Sequence, residues 1–280
     1  MHFGDNSLFQ NAVGYSKAAL NDGGAKMVGT PFTVVGATDK GFWLSDLIPQ
    51  GYLDNCDYRD DQGIDGQFAI QILSSSGHAD AIYSWVHPAK KGNWKDGQHW
   101  NDPSAEEVEP RGENDLFIAP GTGLWFYAPD RSEEDPEAIY SVTPAGEVSK
   151  DTVKFSLRSG ATACSNPFPC DIWLSDLIPE GYLDNCDYRD DQGIDGQFAV
   201  QLLSKSGHAD AIYSWVHPAK KGNWKDGQHW NDPSAEEIDP HGENDLIITA
   251  GMGLWIYAPD RSEEDPEADY FINVNYPTAE

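Results

Sequence analysis

The sequence predicts an all-β protein made of two tandem, near-identical β-sandwich or barrel-like domains. Two observations carry this reading. Residues 43–137 are written again, without a gap, as residues 173–267, an offset of about 130 residues. Within each copy, short apolar or alternating runs are separated by Gly- and Pro-rich turn signals roughly every ten residues, as in a sandwich or barrel. About one position in eight differs between the copies, with mild changes such as Ile72 to Leu202 and Val108 to Ile238. Solenoid and propeller repeats have periods of roughly 20–50 residues, so each copy is domain-sized. The expected domains are residues 1–138, with repeat core 43–137, and residues 139–280, with repeat core 173–267 and a terminal strand at 269–276.

Taken in order, residues 11–16 read as a strand start or as a short helix through Leu20, with Gly14 opposing the helix. Asn21, Asp22, Gly23 and Gly24 signal a turn, and residues 26–35 read as a β-run that Pro31 bends or confines to an edge. The alternation from Gln67 to Leu73, the turn at 74–77 and the apolar return from Ala81 to Val86 predict a hairpin. The polar stretch 87–113, carrying Gly92, Gly97 and Pro103, reads as loop. Residues 115–119, the turn Gly121-Thr122-Gly123 and residues 124–127 predict a second hairpin. Trp43, Trp85 and Trp125 sit in apolar patterns and are expected in the core. Tyr270 to Tyr276 alternates like a strand and occupies the place where a third unit would begin. It either closes the second domain or adds to an open edge of another chain.

The formal net charge is -29, with 47 acidic against 18 basic residues. Phosphate binding needs clustered Lys and Arg, so nucleic acid is excluded as an expected partner. An anionic membrane surface is disfavoured, and no run is apolar enough to span a bilayer. The charge favours solubility and cation binding. The start Met1-His2-Phe3-Gly4-Asp5 does not resemble a signal peptide, so a secreted chain is expected to be processed already or made without one.

The densest acidic run carries Asp54, Asp57, Asp60, Asp61 and Asp65, repeated as Asp184, Asp187, Asp190, Asp191 and Asp195. Closely spaced Asp and Asn with Gly suit a hard cation, so these residues are the candidate Ca2+ ligands; the alternative is a solvated acidic turn. The spacing does not match an EF-hand. A second cluster at 130–137 reads as a solvated linker. Cys164 and Cys170 flank a Pro-rich loop, and a local disulfide is expected there, implying an oxidising compartment. Cys56 and Cys186 either bridge domains, pair between chains or stay buried as thiols. Trp94 and Trp100, with Trp224 and Trp230, lie among Asp, Asn and Gln; their faces suit sugar rings, or else they pin a long loop by packing.

No nucleophile elbow, zinc histidine pair or phosphate loop is present, and carboxylate pairs are too numerous to single out an acid and a base. A duplicated enzyme only doubles its site, whereas a duplicated binding module gains avidity, so no enzyme is expected.

The run Asn11-Ala12-Val13-Gly14-Tyr15, the element Leu44-Ser45-Asp46-Leu47 and the strand Gly121-Thr122-Gly123-Leu124-Trp125 resemble those of secreted tandem β-domain proteins of environmental bacteria. The resemblance implies an extracellular, β-rich, non-catalytic protein and transfers no site residues.

The expected function is therefore an extracellular or cell-surface structural protein, a filament or surface-layer subunit whose partner is another copy of itself. Tyr270, Ile272, Val274 and Tyr276 are the candidate assembly strand. The runner-up is a tandem carbohydrate-binding protein that recognises glycans through Trp94, Trp100, Trp224 and Trp230.

Overall fold

The computed structural model describes residues 13–15, 18–20, 24–29, 32–33, 41–50, 68–73, 79–86, 92–97, 102–128, 140–142, 145–148, 151–157, 160–180, 198–203, 209–216, 222–227, 232–259 and 270–277. These form antiparallel sheets, with short 3-10 turns at Leu44–Asp46 and Leu174–Asp176 and no closed barrel. No helix among them is long and apolar enough to cross a membrane.

The first half of the chain builds a 6-stranded sheet in the order Glu106–Glu107, Asn93–Asp96, Ala79–Val86, Ala69–Leu73, Leu124–Ala128, Gly24–Val28. The second half builds a 5-stranded sheet in the order Gly160–Ser165, Gly253–Ala258, Ala199–Leu203, Ala209–Val216, Asn223–Asp226. The same register shift falls between Ile72 and Leu73 and between Leu202 and Leu203. The hairpin expected from the alternation of residues 67–86 is present, because one buried face fixes its register.

Other expectations are corrected. Phe117–Ile118 pairs with Phe42–Trp43, not with Leu124–Ala128, so residues 115–127 are not a hairpin. The polar stretch 87–113 contains the strands Asn93–Asp96 and Glu106–Glu107. For residues 11–20 the strand alternative holds, with strands at Val13–Tyr15 and Ala18–Leu20.

Each half adds a 3-stranded sheet closed by its last strands: Tyr140–Val142 lies between Ala18–Leu20 and Pro49–Gln50, and Tyr270–Val274 between Val153–Leu157 and Ile178–Glu180. Ala145–Val148 pairs with Val13–Tyr15 and Phe32–Thr33. Strand pairing thus joins residues as far as Val148 to strands of the first half.

Alternation along these strands sends one face into a core. Phe68, Ile70, Trp85, Trp94, Leu124, Phe126 and Tyr140 lie in one buried cluster, drawn from the first half alone. Phe155, Phe168, Phe198, Trp224, Ile256, Tyr270 and Ile272 lie in another, drawn from the second half alone. A third cluster takes residues from both.

Candidate interaction surfaces

The terminal strand is the first candidate. Tyr270, Ile272 and Val274 share one face, and all are buried in the second core. Tyr276 packs edge-on against the buried Phe168, ring centroids 5.3 Å apart. Both edges of the strand are occupied, with Phe155 and Pro179 each opposite Ile272. Of the two roles the sequence allows for Tyr270, Ile272, Val274 and Tyr276, closing their own half or assembling with another chain, the structure shows them completing the core of their own half. Tyr140–Val142 does the same in the first half.

The tryptophans expected to bind glycans are next. Trp94 and Trp224 are fully buried. The Trp94 Nε1–H donates to the Leu47 carbonyl at 2.8 Å, and that of Trp224 to the Leu177 carbonyl at 3.0 Å. Each packs edge-to-face on a neighbour, Trp85 or Trp215, at 5.1 Å between centroids. A ring with no exposed face cannot stack on a sugar, so of the two readings offered for Trp94 and Trp224 the structure agrees with packing and not with glycan stacking. Trp100 and Trp230 lie outside the described residues, as do the candidate Ca2+ ligands Asp54 to Asp65 and Asp184 to Asp195, the 130–137 cluster, Cys56 and Cys186.

Around Trp94 the polar residues tie the chain to itself. Asn93 Nδ2 donates to the Val108 carbonyl at 2.8 Å, and its Oδ1 accepts from Trp94 N at 2.9 Å. Asp102 closes a turn by accepting from Ser104 N at 2.8 Å and Ser104 Oγ at 2.7 Å. Beside these lies an open polar groove of about 960 Å³ lined in part by Lys95, Glu106, Glu107, Glu109 and Glu113. Among the described residues, no group of three or more His, Cys, Asp or Glu side chains is placed to hold a metal.

Sequence reading missed a carboxylate latch. Asp115 is 7% exposed, and its two oxygens accept from Ser45 N at 3.2 Å, Ser45 Oγ at 2.6 Å and Arg111 N at 2.7 Å. Asp245 repeats this with Ser175 N at 3.3 Å, Ser175 Oγ at 2.6 Å and His241 N at 2.9 Å. The latch holds Arg111 and His241 at φ of 60° and 58°, a left-handed conformation that non-glycine residues rarely adopt. Arg111 then reaches Asp46 at 3.3 Å, whereas His241 reaches Asp176 at 3.0 Å and stacks on Trp173. Trp43 is half-buried rather than core, edge-on to Phe117, whose own surface is 37% exposed.

The expected disulfide is corrected too, since Cys164 and Cys170 are both free thiols. Cys164 belongs to the strand Gly160–Ser165 and is buried; burial pushes its pKa up to about 12. Asn166 pins the loop in place of a disulfide: its Nδ2 donates to the carbonyls of Cys170 at 2.8 Å and Ile248 at 2.9 Å, while its Oδ1 accepts from Phe168 N at 2.9 Å.

The remaining surface is a seam between the halves. Val28 faces Met252 and Thr122 faces Cys164 as antiparallel bridges. Gly29 N donates to Gly251 O at 3.1 Å, Ser165 N to Gly121 O at 2.7 Å, and Gly123 N to Ala163 O at 3.1 Å. Register shows the symmetry: Val28 lies opposite Leu124 as Cys164 lies opposite Leu254. The bridges Val28–Met252 and Thr122–Cys164 are therefore the same contact made in each direction, the signature of an isologous interface. Met27, Trp125, Ala161 and Trp255 are buried in the shared cluster, with Tyr127 and Tyr257 against them. Trp125 is buried as expected, in the cluster that both halves share. Backbones approach closely here: a Cβ on Gly123 would lie 2.7 Å from Cys164 O, and one on Gly253 2.3 Å from Met27 Cγ. Gly121 and Gly123, read as a turn in the sequence, serve this approach.

Comparison with protein-family models and with curated proteins finds no match.

Proposed function

We propose that the chain is an extracellular structural protein, a two-domain building block of a surface layer or filament that assembles with itself. The observation that carries this reading is the symmetric seam, in which equivalent positions of the two halves meet each other in both directions. The duplicated sequence supports it, since tandem copies supply two joining surfaces per chain. The terminal strand is engaged within its own half, which favours the seam over that strand as the joint between chains in this reading. With a net charge of -29, subunits repel, and Ca2+ or salt is expected to screen that repulsion. The reading assigns no catalytic residue.

Light scattering and negative-stain imaging of the purified chain, with and without calcium, test it. Masses at multiples of 30.9 kDa that grow with concentration are expected. A monomer at every concentration in both conditions refutes the reading.

Glycan binding remains the second reading because of the half-buried Trp43 beside the exposed edge of Phe117. Glycan retention that disappears in Trp43→Ala, with folding intact, would favour it.

A further inference from the structure

We infer that the seam is exchangeable between chains, so that the first half of one chain pairs with the second half of another copy. The inference rests on the building-block reading and names its joint. Each half keeps its own core: one cluster runs from Val28 to Val142 and the other from Phe155 to Val274. Each also holds its own closing strand. Opening the seam uncovers the shared cluster around Met27, Trp125, Ala161 and Trp255 and the margin of each core at Val28, Cys164 and Phe155, and breaks the backbone bridges. Every one of those contacts can re-form, residue for residue, with a second chain.

Connectivity alone decides between the two arrangements. Residues 149–152 link the strands Ala145–Val148 and Val153–Leu157. At low concentration the tethered partner is favoured by its high effective concentration, whereas at high concentration a neighbouring chain competes. Reciprocal exchange closes a two-chain ring. One-way exchange leaves a free half at each end and propagates into a filament.

The bridge at Thr122 offers a direct readout. Bonds from Ser165 N to Gly121 O and from Gly123 N to Ala163 O flank the pair, so Thr122 and Cys164 are a non-hydrogen-bonded antiparallel pair. Such pairs have Cα atoms about 4.5 Å apart, within disulfide range. The test uses the full chain with Thr122→Cys, Cys164 kept, and Cys56, Cys170 and Cys186 replaced by Ala. It is oxidised at rising protein concentration and run on a denaturing gel without reductant. The expected result is a ladder at multiples of 30.9 kDa that grows with concentration and is absent in Cys164→Ser. The pair Val28→Cys and Met252→Cys, with all four natural cysteines replaced, should give the same ladder and guards against a folding defect in the first variant. Intrachain disulfides alone, in material that still scatters as polymers, overturn the exchange and leave the building-block reading standing. Intrachain disulfides in a chain that never polymerises overturn both. If neither lock forms, the seam itself is refuted and the inference falls with it.

Discussion

Replacing Trp94 by Phe separates a structural tryptophan from a ligand-binding one. Trp94 is 0% exposed, and its Nε1–H donates to the Leu47 carbonyl at 2.8 Å. Phe keeps an aromatic ring in place but removes about 40 Å³ of side chain, and at roughly 24 cal/mol per Å³ that void costs about 1 kcal/mol. The Leu47 carbonyl loses a buried donor, which adds about 1–3 kcal/mol. The sum, about 2–4 kcal/mol, is large against the roughly 5–15 kcal/mol that holds a typical domain folded. At roughly 4 °C per kcal/mol, the melting temperature falls by about 8–16 °C. Scanning calorimetry and denaturant unfolding of Trp94→Phe, Trp224→Phe and the double variant measure this. Each single variant should destabilise its own half, since each ring is buried in a cluster confined to that half. A Trp94→Phe chain that unfolds within about 0.5 kcal/mol of the parent, the range of ordinary surface substitutions, while losing glycan binding would place the ring at the surface and refute the reasoning.

Asp115→Ala removes an acceptor shared by three donors and should cost about 3–5 kcal/mol, read as a lowered denaturant midpoint; an unchanged midpoint would show that the latch holds nothing. Deleting residues 270–280 removes Tyr270, Ile272 and Val274 from the second core. At roughly 1.5–3 kcal/mol per buried side chain, about 6 kcal/mol is lost, so the second half should unfold by circular dichroism rather than yield a well-folded monomer. Alkali should also destabilise the second half. The Cys164 thiol is raised from 9.0 to about 12 by burial, so its contribution is fully present below pH 9 and is lost as pH rises towards 12. Burial, then the charges of Asp226 and Asp245, raises Tyr213 in the same direction. Thiol labelling should therefore reach the half-buried Cys170 well before Cys164, and equal rates at pH 8 would contradict the burial of Cys164.

Where a local pattern decides the structure, the sequence reading agrees with it. Gln67 to Leu73 and Ala81 to Val86 alternate around a turn signal, and they pair as a hairpin. Tyr140–Val142 and Tyr270–Val274 lie outside the repeat 43–137 and 173–267, and their equivalent places in the two halves appear only in the structure. Where the sequence leaves alternatives open or misleads, the deciding partner is far away in sequence. Trp94 looks solvated because Asn93, Lys95 and Asp96 surround it, yet its indole is satisfied by Leu47, 47 positions earlier. The loop at Cys164 and Cys170 looks in need of a disulfide until Asn166 finds the Ile248 carbonyl, 82 positions on.

The Leu44-Ser45-Asp46-Leu47 element shows how such distant partners gather. Leu44 N donates to Leu116 O at 2.9 Å, Ser45 donates twice to Asp115, and Leu47 O receives Trp94. This short run is thus the point where two later segments, around Trp94 and around Asp115, are fastened. The differences between the copies follow the same logic. Asp115 and Asp245, the serines that bind them and both buried tryptophans are identical, because each satisfies several partners at once. Arg111 and His241 differ, yet both give the latch the same backbone N–H and still reach an Asp side chain. In the seam, Trp125 and Trp255 are identical, while Thr122 faces Cys164 and Met252 faces Val28. Backbone pairing fixes that joint and the side chains opposite one another vary within it. A joint of this kind retains its geometry whether its two sides belong to one chain or to two.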